Sequence, residues 1–250
     1  MKTAIITGAS TGLGLEFVHQ LKEHFPEIEC CWLIARNGDR LQEINAQGLT
    51  LRAIPMDLTA ASSIPELQAL LAEEKPEVTL LVGNAGCGYL GNFDESDLSE
   101  QLRMLDLNIR ALTAVTHGVL PYMKEGSHII NISSIASFVP NPRMTIYSST
   151  KAFVSAFSRG LHEELKPRNI SVTAVCPGPM DTEFIRQGRI KGNSKTFDIL
   201  PYCDPKKVVR GALKAAKQCT AVYTPRAFYK FYRVLSALIP HGLLIHAAKT

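Results

Sequence analysis

Short apolar runs rich in β-branched residues alternate along this chain with longer stretches in which apolar residues recur every three to four positions. The first pattern predicts buried β-strands and the second predicts amphipathic helices. Because the two alternate, the chain is expected to form right-handed β-α-β crossovers, which give a parallel sheet with helices on both faces. The predicted strands span residues 3–7, 30–35, 50–56, 78–83, 128–133, 170–176 and 220–224.

The helical stretches between these strands complete the predicted architecture. No linker, internal repeat or low-complexity segment divides the sequence, so we expect a single α/β domain over residues 1–250, with a doubly wound, seven-stranded parallel sheet. The longest irregular region, residues 178–204, contains the turn-rich, basic stretch "GRIKGNSK" and is predicted to be a substrate flap. The predicted helices span residues 13–23, 65–72, 98–119, 147–165 and 205–217.

The final segment, residues 225–250, predicts a basic amphipathic helix that breaks at Pro240. Such a helix can cover a substrate pocket, contact another copy of the chain or make peripheral contact with a membrane surface. We favour the cover or the contact between copies over the membrane contact. The predicted cationic face carries Arg226, Lys230 and Arg233, and the predicted apolar face carries Phe228, Tyr232, Leu235 and Ile239.

Composition is that of a globular protein and excludes disordered and fibrous classes. The 250 residues are 46% hydrophobic and 20% charged, which is the balance of a domain with a sizeable core. The net charge of +4 is mild and the cations are scattered, so no nucleic-acid partner is expected. The first strand begins without a signal-peptide pattern, so the expected location is cytoplasmic. The cysteines and histidines lack metal-ligand spacing, so no metal is expected.

The first predicted strand runs into a glycine-rich turn, "TGASTGLG" at residues 7–14, followed by a helical pattern. Glycines here allow a sharp bend, a close approach of the backbone to a pyrophosphate, and tight packing of helix against strand. The free N–H groups at the start of the helix favour phosphate binding. A tight β-α connection without any ligand is the alternative for the turn alone, but the strand before it and the helix after it favour a dinucleotide site.

The end of the second strand, "LIARNGDR", predicts which dinucleotide binds. An acidic residue there would bind the ribose hydroxyls of NAD, whereas a guanidinium suits the 2′-phosphate of NADP. Ala35 occupies the place of the acid and Arg36 follows it, so we expect NADP(H), with NAD(H) less favoured. Asp39 is interpreted as the cap of the next helix.

Tyr147 and Lys151 are four residues apart on a predicted helix, in "YSSTK", and therefore share one helix face. An adjacent cation stabilises a phenolate, so Lys151 is expected to lower the pKa of Tyr147 toward a value useful for proton transfer. A solvated Tyr–Lys pair without function is the alternative. Ser134, in "NISS" at the carboxyl end of the fifth strand, favours a site, because ligands of α/β sheets bind at that edge. Strand alternation favours Ser134 over Ser133 as the hydroxyl that faces the site.

Seven motifs occur in order: "TGASTGLG", "MDL", "GNAG", Asn108 in "LDLNIRAL", "NISS", "YSSTK" and "PGPMDT". With these, the sequence resembles the short-chain dehydrogenase/reductase family in its classical form, from Thr3 to about Thr182. Two departures are visible: Gly83 stands where asparagine is usual in that family, and Thr150 where serine is usual before the lysine. The resemblance implies a Rossmann-type domain.

The resemblance also implies a role for each matching residue. Tyr147 would exchange a proton with the substrate oxygen and Ser134 would orient that oxygen, while Lys151 would bind the nicotinamide ribose and Asn108 would hold a water that relays protons to Lys151. Asp57 would accept a hydrogen bond from the adenine amine. The implied cofactor-binding residues are Gly8, Ser10, Thr11, Gly12, Leu13, Gly14, Arg36, Asn37, Asp57, Leu58, Asn84, Ala85, Gly86, Tyr147, Lys151, Pro177, Gly178, Met180 and Thr182.

These inferences predict an NADP(H)-dependent oxidoreductase that interconverts a ketone or aldehyde and an alcohol. The apolar stretch "SIASFVPNP" favours a lipophilic substrate such as a steroid, a retinoid or an acyl chain. A non-catalytic protein of the same fold that senses the cofactor or acts as a scaffold is the alternative. Helices 98–119 and 147–165 carry more than one apolar stripe, which predicts a homodimer or homotetramer built on them, with the C-terminal segment as the rival contact surface.

Overall fold

The computed structural model describes residues 1–190 and 192–248. Lys191 in the predicted flap, and Lys249 and Thr250 at the end of the predicted C-terminal segment, therefore lie outside the described residues. The strands are β1 Lys2–Thr7, β2 Cys30–Ala35, β3 Thr50–Pro55, β4 Glu77–Gly83, β5 Met123–Ile132, β6 Ser171–Val175 and β7 Val222–Tyr223.

The helices follow the strands in the order that the sequence pattern predicts. They are α1 Gly12–His24, α2 Gly38–Gln42, α3 Ser63–Glu74, α4 Leu98–Leu105, α5 Leu112–Val119, α6 Thr145–Leu165, α7 Glu183–Gln187, α8 Lys195–Ile199, α9 Pro205–Lys217, α10 Ala227–Leu238 and α11 His241–Ala247. No helix within residues 1–190 and 192–248 is both long and apolar enough to cross a membrane.

The sheet has the strand order β3-β2-β1-β4-β5-β6-β7, and every neighbouring pair is parallel. The predicted single doubly wound, Rossmann-type domain with seven parallel strands is confirmed. The order reverses between β1 and β4, so the connections leaving these two strands go to opposite sides of the sheet. This reversal opens a crevice at the carboxyl ends of the strands, where ligands of such sheets bind.

Two cores cover the two faces of the sheet. On one face Phe17 and Leu21 of α1 pack with Leu213 of α9, and all three side chains are fully buried. On the other face α3, α5 and α6 contribute a second buried cluster. Since strands covered on both sides are apolar throughout, β1 and β2 read as continuous hydrophobic runs, which explains why the sequence pattern located them well.

Several element ends differ from the prediction by one to three residues, as at β7, and two differences are larger. β5 begins at Met123, five residues earlier than predicted, because Met123 pairs with Val78 and the register then shifts past the polar residues that follow. The predicted helix 98–119 is helical throughout, but its middle, Asp106–Ala111, is a π-helical turn. Such turns are frequent at functional sites, and this one contains Asn108.

The predicted flap is more ordered than its sequence indicates. It contains two short helices, α7 and α8, that begin after Thr182 and Ser194. Ser194 caps α8 by accepting a hydrogen bond from the Phe197 amide at 3.3 Å. The C-terminal helix ends at Leu238, and Pro240 precedes the separate helix α11, so the predicted break at this proline is confirmed.

Candidate active site

A cleft of about 1200 Å³ opens at the carboxyl edge of the sheet, where the strand order reverses. The glycine turn, the ends of β2 to β5 and the turn after β6 form its walls. Every site residue predicted from the sequence lines this cleft except Gly14 and Asn108. Segments far apart in the sequence are therefore brought into one site.

The glycine turn has a conformation that other residues would not adopt without strain. Gly8 has a φ of +66°, and its amide donates a hydrogen bond to the Ile34 carbonyl at 2.7 Å. Gly14 lies behind the turn rather than on the cleft surface: a Cβ built on it would be 2.0 Å from the Gly8 carbonyl oxygen. Gly14 thus permits α1 to begin directly against the turn, which leaves the first N–H groups of the helix facing the cleft.

Asn84 braces the glycine turn from β4. Its side-chain amide donates to the carbonyl oxygens of Thr7 at 3.0 Å and Gly8 at 3.1 Å. The Thr7 hydroxyl in turn accepts from the amides of Asn84 and Ala85, each at 3.0 Å. These bonds fix the two strand ends on either side of the crevice, so Asn84 shapes the cleft wall in addition to lining it.

The structure around the end of β2 shows which residue caps α2 and whether Arg36 is available to bind a phosphate. Asn37, not Asp39, caps α2, because the Asn37 side chain accepts a hydrogen bond from the Arg40 amide at 3.0 Å. The interpretation of Asp39 as the cap is wrong, because α2 begins at Gly38 and the capping position is therefore Asn37, one residue before the helix. Arg36 lines the cleft, is exposed, and makes no hydrogen bond or ion pair within the part of the chain that the structure describes. Its guanidinium is therefore available for an anion.

Two further arginines line the same end of the cleft and are absent from the sequence-based prediction. Arg40 pairs with both carboxylate oxygens of Glu183, each at 3.1 Å. Its place in the stretch "ARNGDR", which follows β2 directly, is a signal that the sequence offered. Arg103 pairs with Asp57 at 3.2 Å, and no local pattern marks it.

The Asp57 carboxylate is held by its neighbours. Thr59 donates to it from its amide at 3.0 Å and from its hydroxyl at 2.7 Å. Burial alone would raise the pKa of Asp57, but the hydrogen bonds from Thr59 and Arg103 outweigh it and the net shift is downward. Asp57 therefore stays ionised at neutral pH and remains an acceptor at the rim of the cleft.

Ser133 and Ser134 face different surroundings, as strand alternation predicts. The Ser133 hydroxyl is buried, donates to the Lys151 carbonyl at 2.8 Å and contacts the Ser155 hydroxyl at 2.8 Å. Ser134 has extended backbone, and its hydroxyl accepts from the Ala136 amide at 3.1 Å. Because this bond uses only an acceptor site, the Ser134 proton can be directed toward the Tyr147 oxygen or toward a ligand in the cleft.

Tyr147 sits in the first turns of α6 with only 7% of its surface exposed. Burial raises the pKa of Tyr147 to about 12, although the hydrogen bond with the Ser134 side chain acts in the opposite direction. The predicted lowering of this pKa by Lys151 is therefore wrong for the structure described, because desolvation is the larger effect. At neutral pH the phenol is protonated and can donate.

Lys151 lies one helical turn after Tyr147, and its Nζ is 5.8 Å from the centre of the tyrosine ring. Burial lowers the pKa of Lys151 to about 8, so the side chain remains mostly charged at pH 7. Nζ donates a hydrogen bond to the Ile132 carbonyl at 2.8 Å. An ammonium group has three protons, so two remain for groups in the cleft.

Asn108 does not reach the cleft surface and is only 1% exposed. Its side chain exchanges two hydrogen bonds with the Cys87 backbone, at 2.9 and 2.8 Å, and donates to the Thr150 hydroxyl at 3.0 Å. The structure thus gives Asn108 a positioning role between the end of β4 and α6. Thr150, which stands where the resembled family usually has serine, also carries a hydroxyl, and that hydroxyl accepts from Asn108.

The part of the cleft beyond Tyr147 is mostly apolar. The Phe184 ring packs against Tyr147 with ring centres 5.6 Å apart. The flap and the C-terminal helices supply most of the remaining wall. The sequence predicted these segments as parts of the pocket but not which of their residues line it. The larger apolar lining residues are Ile135, Met144, Phe184, Ile185, Phe197, Leu200, Phe228, Tyr232 and Leu244, and the same segments add the polar residues Asn141, Arg186, Gln187 and Thr196.

The residues at the glycine end fit a dinucleotide. Gly8 and Gly12 have no side chain to block close approach, α1 directs its N-terminus there, and Arg36, which has no partner among the described residues, lies where an additional phosphate would need a cation. The cleft continues from there past Lys151 to Ser134 and Tyr147. One elongated ligand and one smaller molecule can therefore meet beside a proton donor.

Comparisons with known proteins agree with this geometry. The family model described as short chain dehydrogenase matches residues 2–191. An uncharacterised oxidoreductase of Staphylococcus saprophyticus is 30% identical over 225 residues, which cover 87% of this chain and 92% of that relative.

Two solved structures extend the comparison to the fold. A short-chain dehydrogenase from Sphingobium yanoikuyae in complex with NADPH is 28% identical, with a TM-score of 0.81 over 98% of this chain and 95% of that one. A bulky-bulky ketone specific alcohol dehydrogenase from Comamonas testosteroni is 27% identical, with a TM-score of 0.76 over 98% of this chain and 94% of that one. The chain is accordingly a member of the short-chain dehydrogenase/reductase family of oxidoreductases.

Proposed function

We propose that this protein is an NADP(H)-dependent oxidoreductase that interconverts a ketone or aldehyde and the corresponding alcohol on a lipophilic substrate. The observation that carries the proposal is the convergence of Ser134, Tyr147 and Lys151 at the point where the dinucleotide end of the cleft meets its apolar end. A protein that only binds a cofactor does not need a protonated phenol beside an ammonium group at that point.

Each of the three side chains has a defined task in carbonyl reduction. The Ser134 hydroxyl donates to the carbonyl oxygen and orients it, and Tyr147 delivers its phenolic proton to the same oxygen. Lys151 binds a ribose through the protons that Ile132 does not use. Bound NADPH would supply the hydride to the carbonyl carbon, and NADP⁺ would accept it in the reverse direction.

NADP(H) is favoured over NAD(H) because an unpaired guanidinium, Arg36, lies at the end of β2 where an acid would otherwise bind ribose. The S. yanoikuyae relative with bound NADPH supports the same choice. The apolar side chains that line the cleft beyond Tyr147, among them Met144 and Leu244, support a lipophilic substrate. The ketone-specific relative from C. testosteroni supports a ketone or alcohol as the reacting group.

A screen for cofactor consumption tests the proposal directly. Purified protein would be incubated with NADPH or NADH and with ketosteroids, retinals, acyl ketones and sugars, and absorbance at the nicotinamide band would be followed. We expect turnover with NADPH on at least one apolar carbonyl compound and none on sugars. Tight NADPH binding without turnover on any compound would favour the alternative, a non-catalytic cofactor sensor or scaffold.

Replacing Arg36 with alanine is expected to weaken NADPH binding by about 10- to 100-fold, since hydrogen bonds to a charged group contribute about 1.5–3 kcal/mol. NADH, which lacks the 2′-phosphate, should bind almost as before. Fluorescence titration of both cofactors measures the difference. Arg210→Ala is the matched control and should bind both cofactors like the wild type, because Arg210 is exposed on α9 and is not among the residues that line the cleft. Equal losses for NADPH and NADH in Arg36→Ala would show that Arg36 is structural.

A homodimer or homotetramer is proposed on the outer faces of α4 and α6. Leu98 and Leu102 on α4 are 64% and 49% exposed. On α6, Phe153 stacks on Phe157 with ring centres 5.7 Å apart, and Phe153 is 36% exposed. Apolar side chains in such number on one surface indicate a contact, and a two-fold axis would bury the same patch on both copies.

Introducing a charge into this surface is expected to separate the copies. Leu102→Asp combined with Phe153→Asp should convert the assembly to monomers. The free energy needed to bury an unpaired carboxylate is larger than the free energy gained from the apolar contact between the copies. Light scattering at micromolar concentration gives the mass. Phe231→Ser, on the rival C-terminal surface, serves as the control and should leave the mass unchanged. A monomeric wild-type protein would reject the proposed assembly.

A further inference from the structure

The C-terminal part of the chain is strongly positive, although the net charge of the whole chain is only +4. Residues 205–250 contain nine of the 27 Lys and Arg and none of the 23 Asp and Glu. This segment therefore carries +9, whereas the whole chain carries +4 and the first 204 residues are net negative. Such an asymmetry gives one region of the surface a strong positive potential.

A row of these cations lies on the outer face of α9. Lys207, Arg210 and Lys214 recur at the spacing of one helix stripe, and all three are exposed. None forms an ion pair or side-chain hydrogen bond with another of the described residues. Val208 and Leu213, on the inner face, are buried in the core. The row is consequently a free cationic stripe rather than part of a salt-bridge network.

The neighbouring helix α10 has an apolar stripe that the sequence-based prediction missed. Phe231, Val234 and Leu238 are 66%, 55% and 77% exposed. They lie on the face opposite the buried Tyr229, so α10 is apolar on two faces at once. On α11, the next helix along the chain, Leu243 is also exposed, at 71%.

The two stripes belong to helices that cover the same face of the sheet. Tyr229 of α10 shares one buried cluster with Val208 and Leu213 of α9, and the stripes face away from that cluster. Phe228 and Tyr232, between the buried and outer faces of α10, line the cleft. The predicted cover over the cleft and the outer apolar surface are therefore adjacent faces of the same helix.

We propose that α9, α10 and α11 form a docking surface for a bilayer that contains anionic lipid. The cationic stripe complements lipid phosphates and carboxylates, while the side chains of Phe231, Val234, Leu238 and Leu243 enter the interfacial region. Anionic lipid fits better than nucleic acid, because a nucleic acid would match the cations but leave the apolar stripe in water. Docking here would place the cleft mouth beside the bilayer, independently of which substrate the enzyme takes.

Co-sedimentation of the full-length protein with vesicles tests the proposal. We expect binding to vesicles of phosphatidylcholine mixed with phosphatidylserine, little binding to pure phosphatidylcholine, and weakening as salt is raised. Phe231→Ser with Leu238→Ser should reduce the affinity at least about 100-fold, given the apolar area removed. Lys207→Gln with Lys214→Gln should reduce it about 25-fold, or about fivefold per cation. Circular dichroism confirms that each variant is folded.

Matched controls come from exposed residues elsewhere in the chain. Phe93→Ser replaces an aromatic side chain that is 60% exposed, and Lys75→Gln replaces an exposed lysine at the end of α3, on the other face of the sheet. Both should bind vesicles like the wild type.

Three results would overturn the proposal. One is no binding to anionic vesicles. Another is an equal loss of vesicle binding in the control variants. The third is a smaller mass of Phe231→Ser with Leu238→Ser in light scattering, which would assign the surface to a contact between copies. Binding of duplex DNA that withstands this double substitution, in the absence of vesicle binding, would assign the cations to nucleic acid.

Discussion

Tyr147→Phe is expected to lower turnover by at least about 100-fold while NADPH binds nearly as before. The substitution removes only the phenolic oxygen, so the packing of the ring against Phe184 and the nearby Lys151 ammonium are kept. Without that oxygen no side chain delivers a proton to the carbonyl oxygen. Steady-state rates on a substrate found in the screen, together with fluorescence titration of NADPH, measure the two effects separately.

The companion variant Ser133→Ala distinguishes catalysis from local packing. Ser133 is also buried and hydrogen-bonded to α6, through the Lys151 carbonyl, but it does not present its hydroxyl to the substrate oxygen in the proposed mechanism. We expect some loss of stability and near-normal turnover in the folded fraction. Ordinary turnover in Tyr147→Phe would remove Tyr147 from the mechanism.

Gly14→Ala is expected to have the largest effect on the cofactor site. The added methyl group would lie 2.0 Å from the Gly8 carbonyl oxygen and 2.7 Å from the Gly8 carbonyl carbon, and both atoms belong to the backbone. Since the turn is fixed by Asn84 and Ile34, it cannot move away without breaking those hydrogen bonds. We expect destabilisation of at least about 3 kcal/mol and loss of NADPH binding.

Gly160→Ala in α6 is the matched control for this experiment. A Cβ at Gly160 has no atom within 4 Å, so the same substitution there meets open space. Because alanine is the better helix former, we expect Gly160→Ala to raise the free energy of unfolding by about 0.5–1 kcal/mol. Urea denaturation of both variants gives the comparison. A Gly14→Ala protein as stable as the wild type would show that the turn relaxes easily.

Much of the candidate site could be predicted because its signals are local. The glycine turn needs residues 7–14 to be consecutive, and Tyr147 and Lys151 share a face because four residues make about one helical turn. Ser134 follows from the end of a buried strand. Each of these rests on a period or a turn within about ten residues, which a sequence displays directly.

Pairings over long sequence separations were not predictable in this way. Arg103 meets Asp57 across 46 positions, and Arg40 meets Glu183 across 143. Neither pair has a pattern of its own, because the contact exists only after the sheet brings the strand ends together. The pKa of Tyr147 was not predictable for a similar reason. The sequence shows the nearby Lys151, but only the packed structure shows that Tyr147 is buried and that this burial raises its pKa.

By itself the sequence determined the parallel seven-stranded sheet and the position of the cleft, and it predicted which side chains line the cleft, since hydrophobic period and turn chemistry act over short distances. The tertiary structure decided which groups are already paired and which remain free. It left Arg36 without a partner among the residues that the structure describes, used the side chain of Asn108 for positioning, and exposed the outer face of α10. Pairing and burial depend on neighbours distant in the chain, so they are properties of the fold and not of any segment.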